Sequence, residues 1–192
     1  MTNILKQQLV DTKKATNVLI TICIMIGAFV VPTFLAKIIP LGKYQQLVVG
    51  TIVNMSLILT ALYTKGNIKT IAIATLPSAS TILGGLLFGG MTLYTKTMLP
   101  AIWIGNFAFI ILYKALYVSK KMKYPLVAIL AMFVKVSIIY IGFMLMVNMV
   151  AVPDMVKQTL NISMGSTQAI TATTGAILAG FIVQCQKSKK EE

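Results

Sequence analysis

The sequence predicts an all-α integral membrane protein with six transmembrane helices and both termini in the cytoplasm. Three observations support this fold class. Hydrophobic residues make up 57% of the 192 residues and the mean hydropathy is +0.87, whereas soluble domains mix apolar and charged residues along every element. The chain contains six apolar runs of a length suited to crossing ~30 Å of hydrocarbon. The charged residues, which are seventeen lysines and four acids, lie almost entirely between these runs.

Short connections separate the six predicted spans, apart from a longer polar connection over residues 153–167. The spans cover residues 15–36, 44–63, 70–88, 98–118, 124–152 and 168–183, and Pro77 is expected to break the third. The chain is thus divided into a cytoplasmic segment (1–14), a transmembrane domain (15–183) and a basic cytoplasmic tail (184–192). Eleven flanking lysines lie on the side of the termini and four on the other side. The positive-inside rule therefore assigns both termini to the cytoplasm, in a multi-pass protein of the bacterial plasma membrane.

The sequence lacks the residues that an enzyme or a self-energised pump would need. It has no histidine and only two distant cysteines, so neither a Ser-His-Asp arrangement nor a Cys/His metal cluster is expected. It contains no G-x-x-x-x-G-K-[ST] phosphate loop, and no acid lies inside an apolar span to relay protons. We therefore expect no enzymatic activity, no cofactor and no metal. Because the lysines are explained by membrane topology, we also expect no nucleic-acid partner.

The fifth span carries a single charge, Lys135, near its middle. Lys135 follows Tyr124 by eleven residues, about 16 Å along a helix, which is too deep for its amine to reach either surface comfortably. A lysine at this depth disfavours insertion by roughly 2.5–3.5 kcal/mol, so function is the default explanation. No acid inside a span can pair with it. The amine is therefore neutral, faces water or backbone carbonyls, or meets an anion that comes from outside.

Amide, hydroxyl and aromatic side chains recur in the outer halves of the last three spans, several of them three residues apart and therefore on one helix face. An apolar wall with a few polar groups is typical of small-molecule pockets. We predict an outward-facing substrate pocket with Lys135 as its floor. The predicted substrate-binding residues are Trp103, Asn106, Lys135, Tyr140, Asn148, Gln168 and Thr171.

Most of these residues also have a purely structural explanation. The amides of Asn54, Asn106 and Asn148 are typical of interhelical hydrogen bonds in membranes. Trp103 is typical of the aromatic belt at the outer headgroups, and Thr171 can bond to its own helix backbone. A seam of small residues on the sixth span indicates helix packing, at Ala172, Ala176 and Gly180.

The sequence combines six spans, about 190 residues and a glycine-rich third span with two local strings, residues 99–106 (LPAIWIGN) and 164–172 (MGSTQAITA). In these features it resembles the substrate-binding S components of energy-coupling-factor (ECF) transporters. The resemblance implies a subunit that captures a vitamin or another micronutrient from outside. It also implies partners, namely a transmembrane coupling subunit and two ATPase subunits that supply the energy. The connections between the first and second spans and between the third and fourth would then be lids over the ligand.

Three hypotheses remain open from the sequence. The first is an S-component-like binding subunit for a small micronutrient, and the lack of an acidic partner for Lys135 adds the hypothesis that this ligand is anionic. The second is a stand-alone channel or facilitator, which predicts transport without any partner. The third is a membrane scaffold or assembly subunit, which predicts no ligand and tolerance of Asn106→Leu and Gln168→Leu.

Overall fold

A computed structural model describes residues 44–64, 66–84 and 92–191, together with isolated positions between residues 19 and 34. The first predicted span and the end of the third lie mostly outside the described residues. The described chain is helical and contains no strand. Its α-helices are α1 (Gln45–Tyr63), α2 (Asn67–Gly84), α3 (Thr92–Thr97), α4 (Leu99–Leu112), α5 (Tyr124–Met149), α6 (Asp154–Met164) and α7 (Ser166–Glu191), and a π-helical segment, Tyr113–Ser119, continues α4.

Four of the described helical stretches are long and apolar enough to cross a membrane, which identifies a membrane protein. They are Gln45–Tyr63, Leu99–Ser119, Tyr124–Met149 and Asp154–Cys185. These stretches correspond to the second, fourth, fifth and sixth predicted spans. The last of them joins α6 to α7. Many of the outward-facing side chains of these helices are large and apolar, such as Ile129 and Phe133 of α5, as expected for contact with lipid.

The polar connection predicted over residues 153–167 contains a helix, α6. Pro153 occupies the N-cap position and Asp154 lies in the first turn, where a carboxylate is favoured by the helix dipole. Leu160 and Met164, four residues apart, are fully buried, so one face of α6 packs into the bundle. The structure places an amphipathic helix where the sequence predicted a polar connection, and this helix was not predicted.

The prediction that Pro77 breaks the third span is wrong, because α2 runs through this residue. Neighbouring polar side chains bond to carbonyl groups around the proline. Ser80 Oγ donates to the Pro77 carbonyl (2.9 Å), and Asn106 Nδ2 of α4 donates to the Ala74 carbonyl (3.0 Å). Such bonds satisfy backbone groups near a proline and allow a membrane helix to contain one.

Glycines allow the helices to approach closely around the centre of the bundle. A Cβ atom at Gly175 of α7 would lie 2.8 Å from the Met55 nitrogen and from the Thr51 oxygen of α1. A Cβ atom at Gly50 of α1 would lie 2.9 Å from Thr171 Cγ2. Small residues have the same use at other membrane helix interfaces. Consequently, short polar side chains of α1 and α7 can bond directly across this interface.

Candidate functional site

The Lys135 side chain lies at the centre of the bundle and is only 2% exposed. Its Nζ donates a hydrogen bond to Asn54 Oδ1 of α1 (2.5 Å) and lies 5.2 Å from the centroid of the Phe109 ring of α4. That distance is within the range of cation–π contacts. An amide oxygen and an aromatic face are thus the groups that the described chain offers to this amine, and both are uncharged.

Asn54 connects Lys135 to α7. While its Oδ1 accepts from Lys135, its Nδ2 donates to Thr171 Oγ1 (3.1 Å) and to the Gly50 carbonyl (2.8 Å). Thr171 Oγ1 in turn lies within hydrogen-bond distance of the Gln168 carbonyl (3.2 Å). Lys135, Asn54 and Thr171 therefore form a buried polar chain that joins α5, α1 and α7. Both Asn54 and Thr171 are at most 2% exposed, so this chain is shielded from solvent.

A cavity of about 90 Å³ adjoins this polar chain, and we call it the Lys135 chamber. Its apolar wall consists of Val49, Gly50, Val53, Pro77, Leu99 and Ile102. Its polar lining consists of Gln46, Asn54, Ser78, Thr95, Asn106, Lys135 and Gln168. The lining therefore holds one amine together with amides and hydroxyls, and no carboxylate lies among these described lining residues. Such a set of groups can bind and orient a small molecule, but it contains no nucleophile activated by a base.

Three of the predicted pocket residues, Asn106, Lys135 and Gln168, line the Lys135 chamber. Two more bond to its lining: Thr171 to Asn54, and Trp103, whose Nε1 donates to Ser78 Oγ (2.8 Å). The Trp103 indole N–H is thus directed to another helix of the bundle. Asn106 also has the interhelical role that we considered for it, because it bonds to a backbone carbonyl of α2.

The structure does not bring Tyr140 and Asn148 to the chamber. Tyr140 is 38% exposed and its hydroxyl bonds to Asn161 Oδ1 of α6 (3.0 Å), while Asn148 is exposed near the end of α5. The buried face of α5 follows Lys135 through Ile139 and Phe143. At about 100° per residue, Tyr140 is rotated roughly 140° from Lys135, and Asn148 roughly 220°. The prediction placed both residues in the pocket by their distance along the helix and did not take rotation about the helix axis into account.

Sequence reasoning identified Asn54 only as a candidate for helix packing, and it did not single out Gln46, Ser78 or Thr95. Asn54 is the acceptor for Lys135 across 81 residues of sequence. One available signal was the position of Asn54, an amide in the middle of an apolar span with Gly50 one turn before it. The other three residues lie near helix ends or beside Pro77, where polar residues are common for many reasons.

Two larger depressions lie on the surface of the bundle. One, of about 410 Å³ between α5 and α7, is bordered by exposed apolar residues such as Ile129 and Phe181, which suit contact with lipid. The other, of about 470 Å³, lies beside Tyr140 and α6. Neither depression borders a buried charged side chain, whereas the Lys135 chamber does. We therefore assign the candidate site to the chamber.

No protein-family model matches the chain, and neither a curated protein nor a solved structure is significantly similar to it. We therefore base the functional proposal on the geometry of the Lys135 chamber and on the pattern of the sequence.

Proposed function

We propose that this protein is the membrane-embedded substrate-binding subunit of an uptake system for a small, vitamin-like micronutrient. In this proposal the chain crosses the bacterial plasma membrane six times with both termini in the cytoplasm. A transmembrane coupling protein and two ATPase subunits supply the energy, as the resemblance to ECF S components implies. The observation that carries the proposal is the Lys135 chamber, because a buried amine that has no acidic partner among the described residues is costly in a membrane and is retained mainly for function.

The position of the chamber supports capture from outside. Gln46, Leu99 and Gln168 line it and lie at the beginning of α1, α4 and α7, respectively. In the proposed topology the N-terminal ends of these three helices face outward, because the lysine-rich connections follow their opposite ends. A ligand would therefore enter among these helix ends and reach Lys135 from the outer side.

The sequence lacks the groups that hydrolyse nucleotides or relay protons, and this supports a system in which partner subunits supply the energy. The chain has no phosphate loop and no histidine, and its acids lie outside the apolar spans. A binding subunit needs none of these groups, provided that another protein hydrolyses the nucleotide. The volume of about 90 Å³ is well below the roughly 300–1,000 Å³ of pockets that enclose a drug-sized ligand. The chamber thus suits one end of a ligand, with the rest extending toward the outer surface.

A scaffold function is the second candidate, and one observation favours it. Asn54 and Asn106 already bond to other helices, as amides do when they only hold helices together. A scaffold predicts that no small molecule is retained and that apolar replacements of the chamber amides are tolerated.

The proposal is tested by purifying the tagged protein from its native membranes in a mild detergent. Mass spectrometry then identifies the co-purifying proteins and the retained small molecules, with a tagged, unrelated membrane protein as control. We expect a transmembrane coupling protein, ATPase subunits and a micronutrient that are absent from the control. Recovery of the protein alone, without bound small molecule or ATPase, would contradict the proposed function and favour the scaffold.

A further inference from the structure

The Lys135 amine has unused hydrogen-bonding capacity beside the Lys135 chamber. A protonated lysine has three N–H donors, and within the described chain Nζ has one hydrogen-bond acceptor, Asn54 Oδ1. The Phe109 ring adds a cation–π contact on one side. Since the side chain is 2% exposed and lines the chamber, its remaining N–H groups are directed to whatever occupies the chamber. An anion in the chamber would supply both acceptors and the opposite charge.

The size of the chamber limits which anionic group can enter. Its volume of about 90 Å³ is well below the roughly 300–1,000 Å³ of pockets that enclose a whole drug-sized ligand. A carboxylate group has three non-hydrogen atoms. A phosphate or sulfonate group has more, and a phosphate ester carries up to two charges, for which one amine is poor compensation. The small volume and the single amine therefore favour a single carboxylate.

A second donor is available in the same chamber. Gln168 lines it from α7, and its side-chain amide makes no hydrogen bond to the described residues. A carboxylate has two oxygens that can accept from different donors. One oxygen can thus accept from Lys135 while the other accepts from the Gln168 amide.

Resting on the proposed function, we propose that the substrate is a monocarboxylic acid whose carboxylate enters the Lys135 chamber first. Lys135 binds the carboxylate as its counter-ion, and Gln168 orients it. The remainder of the substrate lies toward the outer ends of α1, α4 and α7. A charge-assisted hydrogen bond in a buried site is stronger than a neutral one. The acid should consequently bind at least about tenfold more tightly than the matching carboxamide.

The test uses three matched pairs of probes with the purified wild-type protein: butanoate and butanamide, hexanoate and hexanamide, and benzoate and benzamide. Trp103 is the single tryptophan of the chain and bonds to a lining residue, so its fluorescence reports occupancy. We expect at least one acid to change the emission at concentrations about tenfold or more below its amide. This comparison needs no variant and is independent of effects on folding.

Lys135→Met and Lys114→Met form a matched pair of variants. Lys114 also lies in a membrane-spanning stretch, but it bonds to Thr70 (2.6 Å) and does not line the chamber. We expect Lys135→Met to lose the preference for acid over amide and Lys114→Met to retain it. Equal binding of acid and amide by the wild type, a preference that persists in Lys135→Met, or no response to any pair would overturn the inference.

The small molecule retained by the native protein separates this inference from the proposed function. A retained carboxylic acid supports both. A retained molecule without an acid group, found together with ATPase subunits, would overturn the carboxylate inference and leave the proposed function standing. The absence of both a small molecule and ATPase subunits contradicts the proposed function, and the inference fails with it.

Discussion

Replacement of Gly175 by alanine should separate α7 from α1. The added Cβ atom would lie 2.8 Å from the Met55 nitrogen, the Thr51 oxygen and Asn54 Cβ. Two of these three atoms belong to the backbone, which cannot move aside as the end of a flexible side chain can. The helices must therefore shift apart by several tenths of an ångström at the level of Asn54, where the bond to Thr171 joins them.

The size of the effect follows from two opposing contributions. Overpacking of a well-packed interior typically lowers the free energy of unfolding by about 1–3 kcal/mol. Because the new contacts at Gly175 are with backbone atoms, we expect a loss of about 2–3 kcal/mol from overpacking at this position. Alanine gains about 1 kcal/mol over glycine in helix propensity. We thus expect a net loss of about 1–2 kcal/mol. At about 2–4 °C per kcal/mol for a chain of this length, the melting temperature should fall by about 2–8 °C.

The assay is thermal unfolding in one detergent at a fixed scan rate, because unfolding that is irreversible depends on the rate of heating. Gly180→Ala on the same helix is the matched control. Its Cβ atom would meet the Tyr124 ring at 3.1 Å, a side-chain contact that a shift of a few tenths of an ångström relieves, whereas at Gly175 backbone atoms would have to move. Gly180→Ala should change the melting temperature little. A Gly175→Ala protein that melts as high as Gly180→Ala would refute the close approach of α1 and α7.

Three further predictions concern the polar residues. Asn54→Leu should destabilise the protein by about 2–3 kcal/mol because it leaves a buried amine without its hydrogen-bond acceptor, and adding Lys135→Met should restore much of this loss in a double-mutant cycle. Asn106→Leu should cost about 1 kcal/mol in unfolding experiments because it removes the bond to the Ala74 carbonyl of α2. Tyr140→Phe should leave ligand retention unchanged and alter stability by less than about 0.5 kcal/mol, since its hydroxyl bond is exposed.

Four of the six predicted spans correspond to described helical stretches that are long and apolar enough to cross a membrane, because lipid imposes a simple length and composition on such helices. The predicted spans over residues 44–63 and 98–118 agree within one residue with Gln45–Tyr63 and Leu99–Ser119. Helix α6 was not predicted because its composition is largely polar and it has only 11 residues. The sequence around Pro77 does not indicate that α2 continues through this residue, since the amide that bonds to the nearby Ala74 carbonyl belongs to Asn106 of another helix.

The candidate site was predictable in part. Lys135 could be identified from the sequence, because its position in the middle of an apolar span and the absence of an acid inside any span are both apparent there. Its acceptor, Asn54, lies on another helix, and the pairing of helices depends on packing that composition does not encode. Tyr140 and Asn148 were included on depth alone, and a count of helical rotation from Lys135 would have placed both off the buried face.

The most direct test of the central claim compares how much small molecule is retained by three proteins: the wild type, Gln168→Leu and Asn148→Leu. Both variants replace a predicted pocket amide with the same apolar residue, but only Gln168 lines the Lys135 chamber. Native mass spectrometry measures the bound fraction, and the melting temperature of each protein verifies folding. If the chamber binds the substrate, Gln168→Leu loses the small molecule and Asn148→Leu retains it. Equal retention by the two variants, or loss from Asn148→Leu alone, would contradict a substrate site at the Lys135 chamber.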